Sequence, residues 1–285
     1  MVGVFAGATV LLSALSPSEE RSMKRQIRDA LDLAISRYPS KPLELAKGLH
    51  YDLNALMKSS AQRCAYHLDV VLKAIPKGGR VADVGGGLTP HCHALALLGY
   101  RGVLVDDFGD LWHEDGAEVL EGQKRDGVEV VSCDILQGLA LDANSFDAIM
   151  TFDCLEHLHH SPKKMLTDAV AALKPGGLLF LGVPNCVNLR KRLTVPFGVG
   201  KWSRMEEWYD SEKFRGHVRE PDVDDLRYIG KSLGLENVKV VGMNWLGYES
   251  HFPLVRLLVP FADRLLQLWP SLCANIYLVG TKPAG

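Results

Sequence analysis

The sequence predicts an α/β protein: a doubly wound, mostly parallel sheet preceded by N-terminal helices and interrupted by an inserted cap. Three observations lead there. Short apolar strands alternate with helical stretches from residue 81 onward. The first of those strands ends in an acid and three glycines, Asp83-Val84-Gly85-Gly86-Gly87. The rhythm then breaks at residues 185–218, which are rich in turn residues, arginine and aromatics, before strand and helix patterns resume.

The elements follow in order. Residues 17–75 read as helical: Ser18 before Glu19-Glu20 suits a helix start, and Ile27, Leu31 and Ala34 recur at helical spacing. Pro39 and Pro42 mark a break, and a second helical stretch runs from about Ala61 to Ala74, ending at Pro76-Lys77-Gly78-Gly79. Val81–Val84 is the first strand, followed by a helical run to Leu98-Gly99. Val103–Val105 is the second, closed by Asp106-Asp107, and Val128–Ser132 the third. Phe146–Phe152 is the fourth and Leu178–Val183 the fifth, with a helix over Lys163–Leu173 between them. Lys174-Pro175-Gly176-Gly177 reads as a helix stop and turn before the fifth strand. After the cap come a helix over Asp222–Leu233 and a strand near Val238–Met243. An apolar helical stretch over Leu254–Leu268, broken or kinked at Pro260, and a final strand over Asn275–Gly280 complete the chain. Alternating strands and helices imply right-handed β-α-β units.

Composition narrows the function. The 285 residues are 47% hydrophobic and 23% charged, which suits a globular protein with a sizeable core. With Lys plus Arg at 32 and Asp plus Glu at 34, the net charge of -2 leaves no electrostatic footprint for nucleic acid. The six cysteines, Cys64, Cys92, Cys133, Cys154, Cys186 and Cys273, fit neither a disulfide framework nor a zinc site, so the expected setting is reduced and cytoplasmic. The apolar stretch Val2–Leu15 lacks a basic flank and, at about 14 residues, is too short to span a bilayer. It reads as a buried or capping helix, a leader, or a weak membrane or signal element.

The glycine segment carries the first functional signal. A strand ending in an acid and followed by Gly-x-Gly lets backbone approach a ligand closely, because glycine has no Cβ in the way, and the ligand then lies at the carboxyl edge of the sheet. Asp83, Gly85 and Gly87 are therefore candidate cofactor residues. Asp106 closes the second strand 23 positions after Asp83, where an acid can take the two ribose hydroxyls of a nucleoside. A nicotinamide dinucleotide would need a third glycine to seat its pyrophosphate at the helix start, and that position is Pro90. A nucleoside without a pyrophosphate has no such need.

Taken together these residues resemble class I S-adenosylmethionine-dependent methyltransferases, whose fold is Rossmann-like. Val81–Gly87 resembles their motif I, Val105-Asp106 the ribose-binding acid, and Ser132-Cys133-Asp134-Ile135 the segment that sets an acid beside the adenine amino group. Phe146–Met150 with Leu155-Glu156-His157-Leu158 resembles motif IV, and Leu173–Leu179 the motif before strand five. The likeness spans roughly residues 75–185, and residues 214–243, with Arg215–Glu220, resemble the C-terminal part of many bacterial small-molecule members. It implies S-adenosyl-L-methionine as cofactor, a helical region at 1–75 and a methyltransferase domain at 76–285 with the cap at 185–218. One departure stands out: Thr89 occupies the place of the family's third glycine.

The chemistry is expected after the fourth strand. If a helix begins there, Asp153, Glu156 and His157 share one face at i, i+3 and i+4. Asp153 joins the cofactor-binding set with Asp134, while Glu156, His157 and His217 are the candidate catalytic residues. His157 could serve as general base for an acceptor hydroxyl. Alternatively, Glu156 and His157 could cap the helix and bond to the cofactor loop. The segment also resembles the acid-x-x-Glu-His stretch of ubiquinone-biosynthesis O-methyltransferases, where a divalent cation is implied, although no metal is assigned here. His217, Arg219 and Glu220 either line the acceptor pocket or pin the cap. His159-His160 reads as an exposed turn pair, and Arg190-Lys191-Arg192 as a solvated face or a receiver of an acidic acceptor. The expected partner is a small-molecule acceptor whose hydroxyl is methylated, with no nucleic acid. Residues 252–269, with Arg256 and Arg264, read as a packed or homodimer helix, or as a membrane-surface helix. A non-catalytic protein of the same fold, or an NAD-dependent enzyme, are the competing readings.

Overall fold

The computed structural model describes residues 16–40, 42–46, 49–109, 116–199, 203, 205–210, 214–245 and 253–285. The apolar stretch 2–15 and Trp202 lie outside them.

The chain opens with α1 (Pro17–Ser36). Its cap is Ser16, two residues before the expected Ser18: the Ser16 hydroxyl accepts from Glu19 N–H while the Glu19 carboxylate accepts from Ser16 N–H, and Pro17 follows at the first helical position. A short antiparallel hairpin follows, β1 (Pro42–Ala46) with β2 (Leu49–Asp52), so residues 17–75 are not helical throughout. Pro42 explains the difference, since a residue without an N–H can begin a strand but not continue a helix. Asp52 then caps α2 (Leu53–Leu72), which starts earlier than its sequence pattern suggests.

The core alternates as expected: β3 (Arg80–Val84), α3 (His91–Leu97), β4 (Arg101–Asp106), α4 (Ala117–Arg125), β5 (Glu129–Ser132), β6 (Phe146–Phe152), α5 (Lys163–Ala172) and β7 (Leu173–Pro184). β7 begins at Leu173, not Leu178. Leu173 already pairs with Phe146, and the expected turn Lys174–Gly177 is absorbed as a register shift in which Gly176 takes φ 77. The cap holds α6 (Leu189–Thr194) and α7 (Met205–Tyr209). Then come α8 (Val223–Ser232), β8 (Glu236–Met243), α9 (Pro253–Leu266, with Pro260 inside it) and β9 (Asn275–Thr281).

Seven strands form one sheet in the order β5-β4-β3-β6-β7-β9-β8; β9 runs antiparallel to both neighbours and the rest are parallel. Successive side chains on each strand point to opposite faces. Ala82, Ile149 and Leu179 pack with Met165 and Leu166 of α5 and Leu226 of α8. Val81, Met150 and Phe180 pack the other way, against Leu31 of α1, Leu68 of α2 and Leu95 of α3. The N-terminal helices thus share a core with the sheet. Strand order reverses between β3 and β6, which opens a crevice at their carboxyl ends.

Candidate active site

The crevice begins at the turn after β3. Gly85 and Gly87 take φ 71 and 53, the left-handed region that glycine enters without a Cβ penalty. Gly85 N–H donates to the Val105 carbonyl at 2.8 Å, tying the turn to β4. A Cβ at Gly85 would overlap the Cys154 thiol, so this glycine is required by packing as well as by any ligand approach. The half-buried Asp106 carboxylate accepts from Gly87 N–H at 2.9 Å and from Phe108 N–H at 3.1 Å. The acid at the end of β4 therefore stands against the glycine turn, at the edge of the crevice.

Asp83 faces the other way. It is 1% exposed, and its carboxylate is held by the Thr89 hydroxyl and by His91 Nδ1, each at 3.1 Å. Thr89, in place of the third glycine, thus bonds to the motif's own acid. His91 begins a buried chain: its Nε2 lies 3.3 Å from His67 Nδ1, His67 Nε2 lies 3.1 Å from Tyr277 Oη, and Trp245 Nε1–H donates to the same oxygen at 3.0 Å. Burial works against a charge on His91, but the Cys64 sulfur and the Asp83 carboxylate outweigh it and lift the imidazole to about 10. Burial and the neighbouring His91 push His67 down, so it is neutral. Asp134 is exposed at its turn, where its carboxylate accepts from Leu136 N–H at 3.0 Å.

Beyond β6 the chain does not enter a helix that carries three site residues. Asp153 takes φ 51, and only Leu155–His157 forms a single 3-10 turn. Asp153 therefore leaves the expected face and pairs with Arg63 of α2 at 2.9 Å. No side chain caps the turn's start, which removes the capping role for Glu156 and His157. What the structure brings together is Glu156, His157 and His217, whose donor atoms lie within 4.8 Å of one another. The cap makes this meeting: the Glu156 carbonyl accepts from Val218 N–H at 2.6 Å, which draws His217 inward.

Glu156 is 1% exposed, and its Oε2 finds no hydrogen-bond partner among the described residues. Burial first, then the Asp153 charge, pushes its carboxyl up to about 9, so it is neutral at pH 7. Burial and His217 lower the His157 imidazole. The His157 Nδ1–H donates to the Arg215 carbonyl at 2.7 Å, leaving Nε2 as the lone-pair nitrogen. The His217 Nδ1–H donates to Glu220 Oε1 at 2.8 Å, which leaves its Nε2 outside that bond. Burial opposes the Glu220 charge, yet bonds from His217 and Lys191 hold it below the usual carboxylate range. Lys191 corrects the expectation of a solvated basic run: it is buried and bonded to Glu220, while Arg190 and Arg192 stay exposed. His159 and His160 are exposed, as a turn pair should be, and His159 reaches the Phe214 carbonyl. Sequence reasoning missed Arg63, His67 and His91, which lie outside the motif pattern; Thr89 at a glycine position was the one local signal.

The sheet order, the acid-ended strands and the glycine crevice define a class I S-adenosylmethionine-dependent methyltransferase. The chain belongs to the family of methyltransferase domains, whose model matches residues 54–240. Two ubiquinone biosynthesis O-methyltransferases, from Coxiella burnetii strains Dugway 5J108-111 and CbuK_Q154, are each 29% identical over 254 residues, covering 83% of this chain and all of theirs. Among solved structures, an S-adenosylmethionine-dependent methyltransferase from Thermotoga maritima superposes with a TM-score of 0.52 at 17% identity, covering 80% of this chain and 93% of that one. Phosphoethanolamine N-methyltransferase 2 of Haemonchus contortus, in complex with S-adenosyl-L-methionine, gives 0.52 at 16% identity over 90% of this chain and 56% of its own. At such identities these structures establish the fold.

Proposed function

We propose that this protein O-methylates a hydroxyl of a small molecule, with acceptor activation at Glu156, His157 and His217. The observation that carries this reading is the meeting of His157 and His217, each held at Nδ1, beside a buried, protonated carboxyl at the mouth of the cofactor crevice. The O-methyltransferase relatives lend support to an oxygen acceptor. S-adenosyl-L-methionine supplies the activated methyl group on its sulfonium. The crevice fits a nucleoside: Asp106 stands where ribose hydroxyls would be taken, the turn at Gly85 and Gly87 admits close approach, and Asp134 follows β5 where an adenine amino group would lie. Asp83 holds that turn from beneath, through Thr89 and His91, and Asp153 with Arg63 borders the site.

His157 Nε2 takes the proton as the acceptor oxygen bonds to the methyl carbon and the carbon–sulfur bond breaks. Glu220 orients the His217 ring, and the Arg215 carbonyl orients His157 through Nδ1, which turns the His157 Nε2 to the acceptor. A second reading rests on the orphaned Glu156 Oε2. Two imidazole nitrogens and a carboxylate are a donor set that fits a divalent cation, which would lower the acceptor hydroxyl's pKa.

The test is a labelled-methyl transfer screen across hydroxylated metabolites, with His157→Ala as the diagnostic variant. Turnover should drop about 10²- to 10⁴-fold with cofactor affinity near wild type. Under the base reading EDTA changes nothing; under the cation reading it removes activity that a divalent ion restores. Calorimetric binding of NAD in preference to S-adenosylmethionine, or wild-type turnover in His157→Ala, would overturn the proposal.

A further inference from the structure

Helix α9 presents one apolar stripe to the outside. Leu254, Leu257, Phe261, Leu265 and Leu268 recur at three- and four-residue spacing and are all exposed, Leu257 at 74% and Phe261 at 68%. The helix's one acid, Asp263, is turned inward and bonded to Asn244 and Gln267, so the outer face carries no carboxylate. Arg264 is exposed beside the stripe, and Trp269 lies exposed at its end. A second element adjoins it. The Arg192 guanidinium reaches the Ser271 carbonyl just beyond α9 at 3.3 Å, joining α6 to this region. From α6 the exposed Arg190 and Leu193, and from the 3-10 turn after it Phe197, continue the same pattern of bulky apolar groups with arginines.

We propose that this surface docks the protein on an anionic lipid bilayer, with α9 lying in the interfacial plane. A stripe of leucine and phenylalanine with arginine at its border and an indole at its end matches the two halves of such a surface, acyl chains below and anionic headgroups above. Among the described residues no helix is long and apolar enough to cross a membrane. A second copy of the chain is a poorer occupant. A two-fold contact through this face would set Arg190, Arg192 and Arg264 against like charges, with no exposed acid on α6 or α9 to receive them; the acids of the cap among the described residues, Glu206, Glu207 and Asp210, lie on or directly after the separate helix α7.

The inference does not depend on the methyl-transfer reading, and its test does not use activity. The full chain is sedimented with vesicles of phosphatidylcholine alone and with vesicles containing about one quarter phosphatidylglycerol. Binding to the anionic vesicles is expected, weakened by salt and by Arg190→Ala with Arg264→Ala. Leu257→Ser with Phe261→Ser should weaken it about 10- to 100-fold, at an unchanged melting temperature because both side chains are exposed. As a check on the unaltered surface, quenching of the wild-type tryptophan emission by brominated lipid should fall in Trp269→Phe. Failure of the wild type to bind either vesicle, binding indifferent to the two serine substitutions, or a concentration-dependent dimer lost in that variant would each overturn the proposal.

Discussion

Glu156→Gln separates the burial of this carboxyl from its chemistry. The wild-type group is 1% exposed, and its carboxyl is pushed from the ordinary 4.5 up to about 9. A carboxyl whose folded pKa is raised contributes stability that is complete below pH 4.5 and is lost as pH rises toward 9, because only the unfolded chain can ionise it. Each pH unit in that window costs the wild type about 1.4 kcal/mol. Glutamine matches the neutral acid in shape and has no such dependence. The stability difference, variant minus wild type, should therefore rise with pH, by about 2–3 kcal/mol between pH 5 and pH 7. Urea unfolding of both proteins at pH 5, 6, 7 and 8 measures it, since titrating groups remote from Glu156 cancel in the difference. Turnover should move the opposite way, falling in the variant that gained stability, which is the expected trade where a site keeps a buried polar atom without a partner. A difference that stays flat with pH would show that Glu156 is ionised in the folded protein, and the argument for a protonated, orphaned carboxyl would fail.

Three further outcomes follow from the geometry. Asp106→Ala should weaken S-adenosylmethionine about 10- to 150-fold in calorimetry, since a charged acceptor is lost; an unchanged dissociation constant in a folded variant refutes the assignment. Gly85→Ala must hold a left-handed φ and meet the Cys154 thiol, so it should lose about 1–3 kcal/mol of stability. Adding Cys154→Ala should restore part of that loss, and strict additivity of the two changes would refute the contact. His91→Gln should destabilise most below pH 6.5 and progressively less as pH rises through about 10, because the raised imidazole pKa adds stability only while its proton is bound; a pH-independent loss counts against the ion pair with Asp83.

The sheet was legible because its signals are local. Each strand carries its own apolar run, and acids at residues 83 and 106 terminate strands where the ligand crevice has to open. Glu156, His157 and His217 were nameable singly, but the reason given for grouping the first two with Asp153 was helical spacing, and the structure has no helix there. A left-handed residue at 153 turns one acid toward α2, and two backbone hydrogen bonds, from Val218 and Arg219 to the Glu156 carbonyl, bring in a histidine 61 positions away from that glutamate. No periodicity encodes that contact. The hairpin at 42–52 is hidden for a related reason: its strands are too short to show alternation, and Pro39 and Pro42 signal only that the helix cannot continue. The inward turn of Lys191 shows the same limit, since a basic triplet looks solvated unless the Glu220 it meets is known.

Helix α2 links these cases. Its residues precede every motif, yet it supplies Arg63 to Asp153 on one side of the crevice and His67 to His91 on the other. The hydrogen directions leave little freedom. A protonated His91 donates from Nδ1 to Asp83 and from Nε2 to His67, so His67 must accept at Nδ1 and donate from Nε2 to Tyr277, which also accepts from Trp245. One proton placement therefore satisfies the run from the motif's acid to β9, and the low dielectric that makes an unpaired member costly is what locks it. The packing of His67 on Phe152, at 4.0 Å between ring centroids, extends the same constraint to the strand that delivers Asp153 and Glu156. The cofactor turn and the acceptor cluster are held by one buried scaffold. A substitution at His67 should accordingly be felt at both, although it touches neither ligand.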